Sequence, residues 1–135
     1  MRWRCRLALA ASLTGALSAA VAVPTSAETF RRPTGAQIRA RFAGMDMSDG
    51  VHWRDSFSRD GTLKSVSMGK QKSGTWRVEE NQLCTDLGKD SGGCYEAWIA
   101  GANVEFRREG LGGSILEGKL TKTRPGGQTP KGNHP

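Results

Sequence analysis

From Val51 onward the apolar residues recur at every second position, in short runs broken by turn-forming residues. This period of two restricts the chain to strands whose side chains alternate between two faces. Val51, Trp53 and Phe57 alternate with His52, Arg54 and Ser56, while Asp55 interrupts the apolar set and is expected near a strand end or rim. Asp60-Gly61 follows, and that dipeptide between two strand-like runs is a strong hairpin signal. Residues 62–68 form the return strand, with Leu63, Val66 and Met68 apolar and a register that allows for a bulge. Residues 69–74 read as a polar turn, after which Trp76 and Val78 point inward. Residues 82–87 and 94–99 are the next two strands, separated by an open glycine-rich loop. The second of these is apolar on both faces, with Cys94 and Trp98 on one and Tyr95, Ala97 and Ile99 on the other, as expected of a covered strand. Val104, Phe106 and Arg108 alternate once more, and residues 114–121 make the last strand. The count is about seven short strands. It predicts a mainly β fold, an antiparallel meander curled into a small barrel or sandwich.

Upstream the period changes to that of a helix. Thr34-Gly35-Ala36-Gln37 has the spacing of a capping box, Ile38 and Phe42 share one face, and Arg39 and Arg41 take the other. Gly44 is placed to end this short N-terminal helix. Further upstream, Arg2, Arg4 and Arg6 precede an apolar, alanine-rich run over residues 7–23, and Pro24 and then Thr25-Ser26-Ala27 follow. These are the parts of a secretory signal cleaved after Ala27, or alternatively after Ala22. As an uncleaved anchor the run would be short and weakly apolar, since a crossing takes about 20 apolar residues. The expected organisation is therefore a signal peptide at 1–27, a flexible lead-in at 28–33, one β-rich domain at 34–123 and a disordered tail at 124–135.

Charge and cysteines are read on the mature chain. The full sequence holds 20 Lys+Arg against 13 Asp+Glu, and removal of the three signal arginines leaves +4. The basic excess lies at the two ends and the middle is mildly acidic, so no nucleic-acid partner is expected. No second apolar stretch exists, so no stable membrane span is expected after cleavage. Cys5 leaves with the signal, and Cys84 and Cys94 remain as an even pair suited to a disulfide in a periplasmic or secreted setting. Closing so short a loop contributes roughly 2.5–3 kcal/mol.

Asp60-Gly61-Thr62, then Gly74-Thr75-Trp76, Leu83-Cys84 and Cys94-Tyr95 together resemble a group of small exported bacterial proteins classed as a domain of unknown function. Members pair an N-terminal helix with a strand meander and a hairpin disulfide. The resemblance spans residues 34–122, implies periplasmic residence and a β-rich fold, and carries over no catalytic residue. Gly74-Thr75-Trp76 is also similar to the Gly-x-Trp of lipocalins, although there it belongs to the first strand and here to the third of the seven.

Candidate chemistry is sparse. His52 could serve as a general base or a metal ligand, but no second histidine or free cysteine stands nearby in sequence, and a solvated strand histidine is the simpler reading. Cys84 and Cys94 are too far apart for a reactive dithiol of the Cys-x-x-Cys kind. The segment from Asp46 to Gly50 lacks the alternating ligands of a calcium loop, and the other acids select no pair. No metal or cofactor is therefore expected. Trp53, Trp76, Trp98 and Tyr95, with Phe57 and Phe106, are the most suggestive set, either lining a pocket for a small apolar ligand or simply filling the core. The function expected is that of an exported, non-catalytic binding or envelope-associated protein. The alternatives are a structural or inhibitory module docking on another envelope protein, and, with least support, a hydrolase using His52 with an acid such as Asp55. The oligomeric state is left open.

Overall fold

A computed structural model of the chain describes residues 28–108 and 115–125, with Ala22 alone before them. The expected signal segment, apart from Ala22, the turn at 110–113 and the tail from 126 lie outside the described residues. Thr34 stands in extended conformation at the N-cap of α1 (Gly35–Phe42). Its hydroxyl accepts the Gln37 N–H while the Gln37 side chain accepts the Thr34 N–H, the reciprocal pair that the capping-box spacing predicts. Ile38 and Phe42 are completely buried. Gly44, at φ 77°, then turns the chain so that its N–H reaches the Phe57 carbonyl at 2.7 Å.

Eight strands follow: β1 (Met45–Ser48), β2 (Trp53–Phe57), β3 (Thr62–Ser67), β4 (Lys70–Glu79), β5 (Gln82–Asp86), β6 (Gly92–Ala100), β7 (Asn103–Arg107) and β8 (Ile115–Lys122). Each is antiparallel to the next, and β1 pairs with β8, which closes the barrel. That one pairing decides between barrel and sandwich. The count is eight and not about seven because β1 is a strand. Met45 and Met47 do alternate with Asp46 and Ser48, but four residues after a helix are too few for the period to stand out. The polar turn expected at 69–74 shrinks to Met68 and Gly69, both at positive φ. Lys70, Gln71, Lys72 and Ser73 pair with β3 through their backbones, which need no apolar side chain to do so. The lead-in expected to be flexible is also tied down, since Arg31 and Ile99 exchange two backbone hydrogen bonds of 2.9 Å.

The two ends of the barrel differ. Helix α1 packs across the end that carries the β2–β3, β4–β5 and β6–β7 turns. The Gly35 N–H donates to Asn81 at 2.6 Å, and the Arg41 guanidinium donates to the Gly101 carbonyl. Phe42 drops into the barrel, edge-on to Phe57 at 5.2 Å and stacked on Phe106 at 5.7 Å. Met47, Leu63, Leu83, Ala97 and Val104 complete a core buried almost to zero exposure. Burial of each large side chain contributes about 1.5–3 kcal/mol, and this apolar plug fills that half of the interior. On the outer face, Cys84 and Cys94 stand directly opposite each other on β5 and β6, with Cα atoms 4.0 Å apart, and form the expected disulfide.

Candidate functional site

The inner face of the unplugged half follows from register. Phe57 pairs with Leu63, so Asp55 and Ser65 face each other two residues further along, and Trp53 and Ser67 two beyond those. All lie on the inward side of the pleat. Asp55 is half-buried there. Burial pushes its carboxyl pKa up, and a hydrogen bond from Ser65 offsets part of the shift. Trp53 is half-buried, and its ring lies in the space left by Gly118 on β8, reached across β1. A Cβ on Gly118 would stand 3.0 Å from the indole and 3.1 Å from Met47. Tyr95 sits at the boundary between the halves, stacked on Phe106 at 5.6 Å, with the Arg108 guanidinium 5.6 Å above its ring.

The four aromatic candidates therefore separate. Trp53 and Tyr95 face the unplugged interior. Trp76 faces inward too, but at the plugged end: it is 3 % exposed, edge-on to Phe57 at 5.6 Å, and its indole N–H donates to the Ser58 carbonyl at 2.8 Å. It is core. Trp98 has the opposite parity and lies on the outer surface, where Arg107 stacks on it at 4.4 Å and its N–H reaches Glu96 at 3.3 Å. A single pocket built on all four is excluded by strand alternation.

His52 lies in the β1–β2 turn, exposed, with its Nδ1 2.8 Å from Asp49 Oδ2. Asp49 is the partner that sequence reading missed. Its Oδ1 accepts the N–H groups of Val51 (2.9 Å), His52 (2.7 Å) and Trp53 (3.1 Å), so the carboxylate is the organising group of that turn. Partial loss of hydration acts to raise the Asp49 pKa, but the Val51, Trp53 and His52 N–H groups and the His52 ring outweigh it and hold the carboxyl well below the usual range. The pairing of His52 with Asp55 that a hydrolase would use is not formed, because Asp55 points into the barrel. The neighbouring Ser48 hydroxyl is committed as well, donating to the Trp53 carbonyl and accepting the Gly50 N–H, both at 2.8 Å. Asp46, the first acid of the segment compared with a calcium loop, lies buried on β1 and accepts the Thr123 hydroxyl at 2.7 Å.

Glu79, Cys84 and Cys94 bring three ligand-type atoms within 4.8 Å of one another. The two sulfurs are bonded to each other and offer no thiolate, so this cluster is no metal site. For the same reason the 3.7 Å approach of Cys84 Sγ to Glu79 is a packing contact and not a hydrogen bond. Glu79 is held instead by Arg77 at 2.8 Å, whose hydrogen bond and charge lower its pKa.

Two surface concavities among the described residues bear on the site. The larger, of about 710 Å³, is a groove outside the barrel over β7, β8 and β1, lined by Phe30, Arg54, Glu105, Glu117 and Lys119 among others. It mixes both signs of charge, and none of the four aromatic candidates lines it. The smaller, of about 430 Å³, is polar and lies at the unplugged rim, where Ser91, Gly93 and Arg108 meet Thr85. No family model, curated protein or solved structure matches the chain.

Proposed function

We propose that this chain is an exported, non-catalytic binding protein that takes up a small ligand through the unplugged end of its barrel. One observation carries the reading: a carboxyl group, Asp55, is half-buried on the inner face beside Ser65 and Trp53, in the half that the helix leaves uncovered. Core packing gives no reason to place a carboxyl there, because interior charge costs stability unless it is paired. Barrels of eight strands have just enough interior for side chains or for one small ligand. Here α1 takes up that room at one end, and the polar residues sit at the other. The N-terminal basic, apolar and small-residue pattern supports export, and the bridge between Cys84 and Cys94 suits an oxidising compartment.

The test is mass spectrometry of protein recovered from the expressing cell. A chain beginning at Glu28, carrying an added mass under native conditions that is lost on denaturation and absent from Trp53→Ala, is the expected result. A folded Trp53→Ala variant that retains the added mass would refute the site, and a chain that retains Met1 would refute export.

The outer-face cluster of Trp98, Arg107 and Glu105 favours a second reading, a module that docks on another envelope protein. Tryptophan and arginine carry much of the energy at protein interfaces, and Arg107 is held rigid between Trp98 and Glu105 (2.6 Å). A pull-down partner lost from Trp98→Ala but retained by Trp53→Ala would favour this reading over the first.

A further inference from the structure

Lys70 and Lys72 on β4 have the same parity as Gly74 and Trp76, so they lie on the inward side of the strand where it reaches the unplugged rim. Arg108 comes to the same rim from the end of β7, with the parity of Phe106. The Lys72 ammonium donates to the Ser91 hydroxyl at 2.8 Å. The Arg108 guanidinium occupies the hollow over Gly93, where a Cβ would stand 2.8 Å from its nitrogen, and it covers the Tyr95 ring. Ser91, Gly93 and Arg108 line one recess, and Lys72 reaches its edge through Ser91.

Among the described residues, none of these three cations forms an ion pair. The same recess is also lined by Arg77, Asp86 and Asp90, which come to it from the outer side of the sheet and the β5–β6 loop. Asp86 lies on the outer side of β5 and accepts the Gly88 N–H at 3.0 Å, and Arg77 is bound to Glu79. Asp90 is an exposed residue of the β5–β6 loop. The inner rim thus presents three positive groups, with Asp55 the acid among the inward-facing residues on the paired β2 and β3 strands. The Tyr95 ring lies under the Arg108 guanidinium, and Trp53, in the same row as Lys70, faces the unplugged interior from β2. Cations that form no ion pair among the described residues, with the Tyr95 ring under one of them, make a two-part recognition surface.

Building on the reading of this mouth as the binding site, we infer that its ligand is a single-chain amphiphile with an oxyanionic head, carboxylate or phosphate. The head sits between Lys72 and Arg108 beside Ser91, and the chain lies against Tyr95 and Trp53. Arginine's planar fork matches either oxyanion through two parallel hydrogen bonds, and lysine adds a point charge. Ser91 leaves its lysine when the head arrives, exchanging a neutral acceptor for a charged one. Asp55, one inward-facing position beyond Trp53 on β2 and in the row of Lys72, disfavours a head group seated on the β2–β3 side of the barrel.

The experiment is calorimetric titration of the folded mature protein with decanoate, decyl phosphate, decan-1-ol and inorganic phosphate, each below its aggregation limit. The expected result is that decanoate or decyl phosphate binds at least tenfold more tightly than either the alcohol or free phosphate. Lys72→Gln and Arg108→Gln should each weaken that binding by roughly tenfold, with Arg108→Lys recovering part of the loss. Both side chains are exposed, and unchanged melting curves will show that the variants fold. If the alcohol binds as well as the anionic amphiphiles and the variants change nothing, the head-group inference is overturned while the mouth remains a binding site. If inorganic phosphate matches decyl phosphate, the amphiphile is overturned. If nothing binds, the inference and the reading beneath it fall together.

Discussion

Replacing Gly74 by alanine tests how closely the barrel wall is folded. An ideal Cβ at this position would lie 1.8 Å from the Asp86 carbonyl oxygen, 2.8 Å from its carbon and 3.0 Å from the Leu87 Cα. All three are backbone atoms, so no side chain can swing aside. Gly74 does not have a left-handed φ, and its requirement for glycine is steric alone. To accept the methyl group, β4 and β5 must move apart by more than an ångström at the end of their ladder, where Thr75 pairs with Asp86. Overpacking of this kind costs about 1–3 kcal/mol, and one or two broken backbone hydrogen bonds add about 0.5–1.5 kcal/mol each, for a total of about 3–5 kcal/mol. Gly69→Ala provides the control. It sits at φ 77° with nothing within 4 Å of the added carbon, so only the left-handed backbone cost of about 1–2 kcal/mol applies. The assay is guanidinium unfolding followed by tryptophan fluorescence, with Trp76 two residues away as a reporter. In a thermal scan, a loss of 3 kcal/mol corresponds to about 12–24 °C for a domain of this size. Equal losses in the two variants would refute the close approach of β4 and β5.

Phe42→Ala should cost about 3–5 kcal/mol in the same assay, because it removes the ring that joins α1 to Phe57 and Phe106; a loss below 1 kcal/mol would show that the helix is not part of the core. Asp55→Asn should stabilise the protein at neutral pH. The folded pKa of Asp55 is raised above its unfolded value near 3.9, so its ionised form opposes folding, and stability returns as pH falls from the folded value toward the unfolded one. The gain from the variant should therefore vanish below about pH 4, and a gain that persists there would refute the assignment. Asp49 behaves in the opposite sense: its folded pKa is depressed, so its contribution is complete above the unfolded value and is lost as pH falls through the folded one. Asp49→Asn should therefore destabilise at neutral pH and flatten the acid limb of the unfolding profile. Reducing the Cys84–Cys94 bridge should cost roughly 2.5–3 kcal/mol without unfolding the barrel, measured as a shift in the guanidinium midpoint.

Local chemistry wrote much of this fold into the sequence. Thr34 and Gln37 start the helix through atoms three residues apart, Asp60-Gly61 turns the chain at φ 91° on Gly61, and the two faces of β6 were legible from alternation alone. These features depend on neighbours in the chain, so the chain displays them. Closure was different, because the partner of β1 is β8, more than sixty residues away. Apolar identity was also no guide to burial where parity ran the other way. Val66 is 40 % exposed because its strand sends Leu63 and Ser65 inward, and Val51 is 81 % exposed in the turn that Asp49 organises. The aromatic set shows the same limit. Alternation put Trp98 on the opposite side of its strand from Tyr95, but only the curvature of the closed sheet made one side interior and the other surface. The position of α1, which turns Trp76 into core and leaves Trp53 and Asp55 uncovered, was equally a tertiary decision. The sequence by itself determined which residues become strands and turns, through forces acting over a few bonds. Which face is inside, which end is plugged and which charges meet at the rim were decided when eight strands closed on one another, because burial belongs to the assembled barrel and not to any one segment.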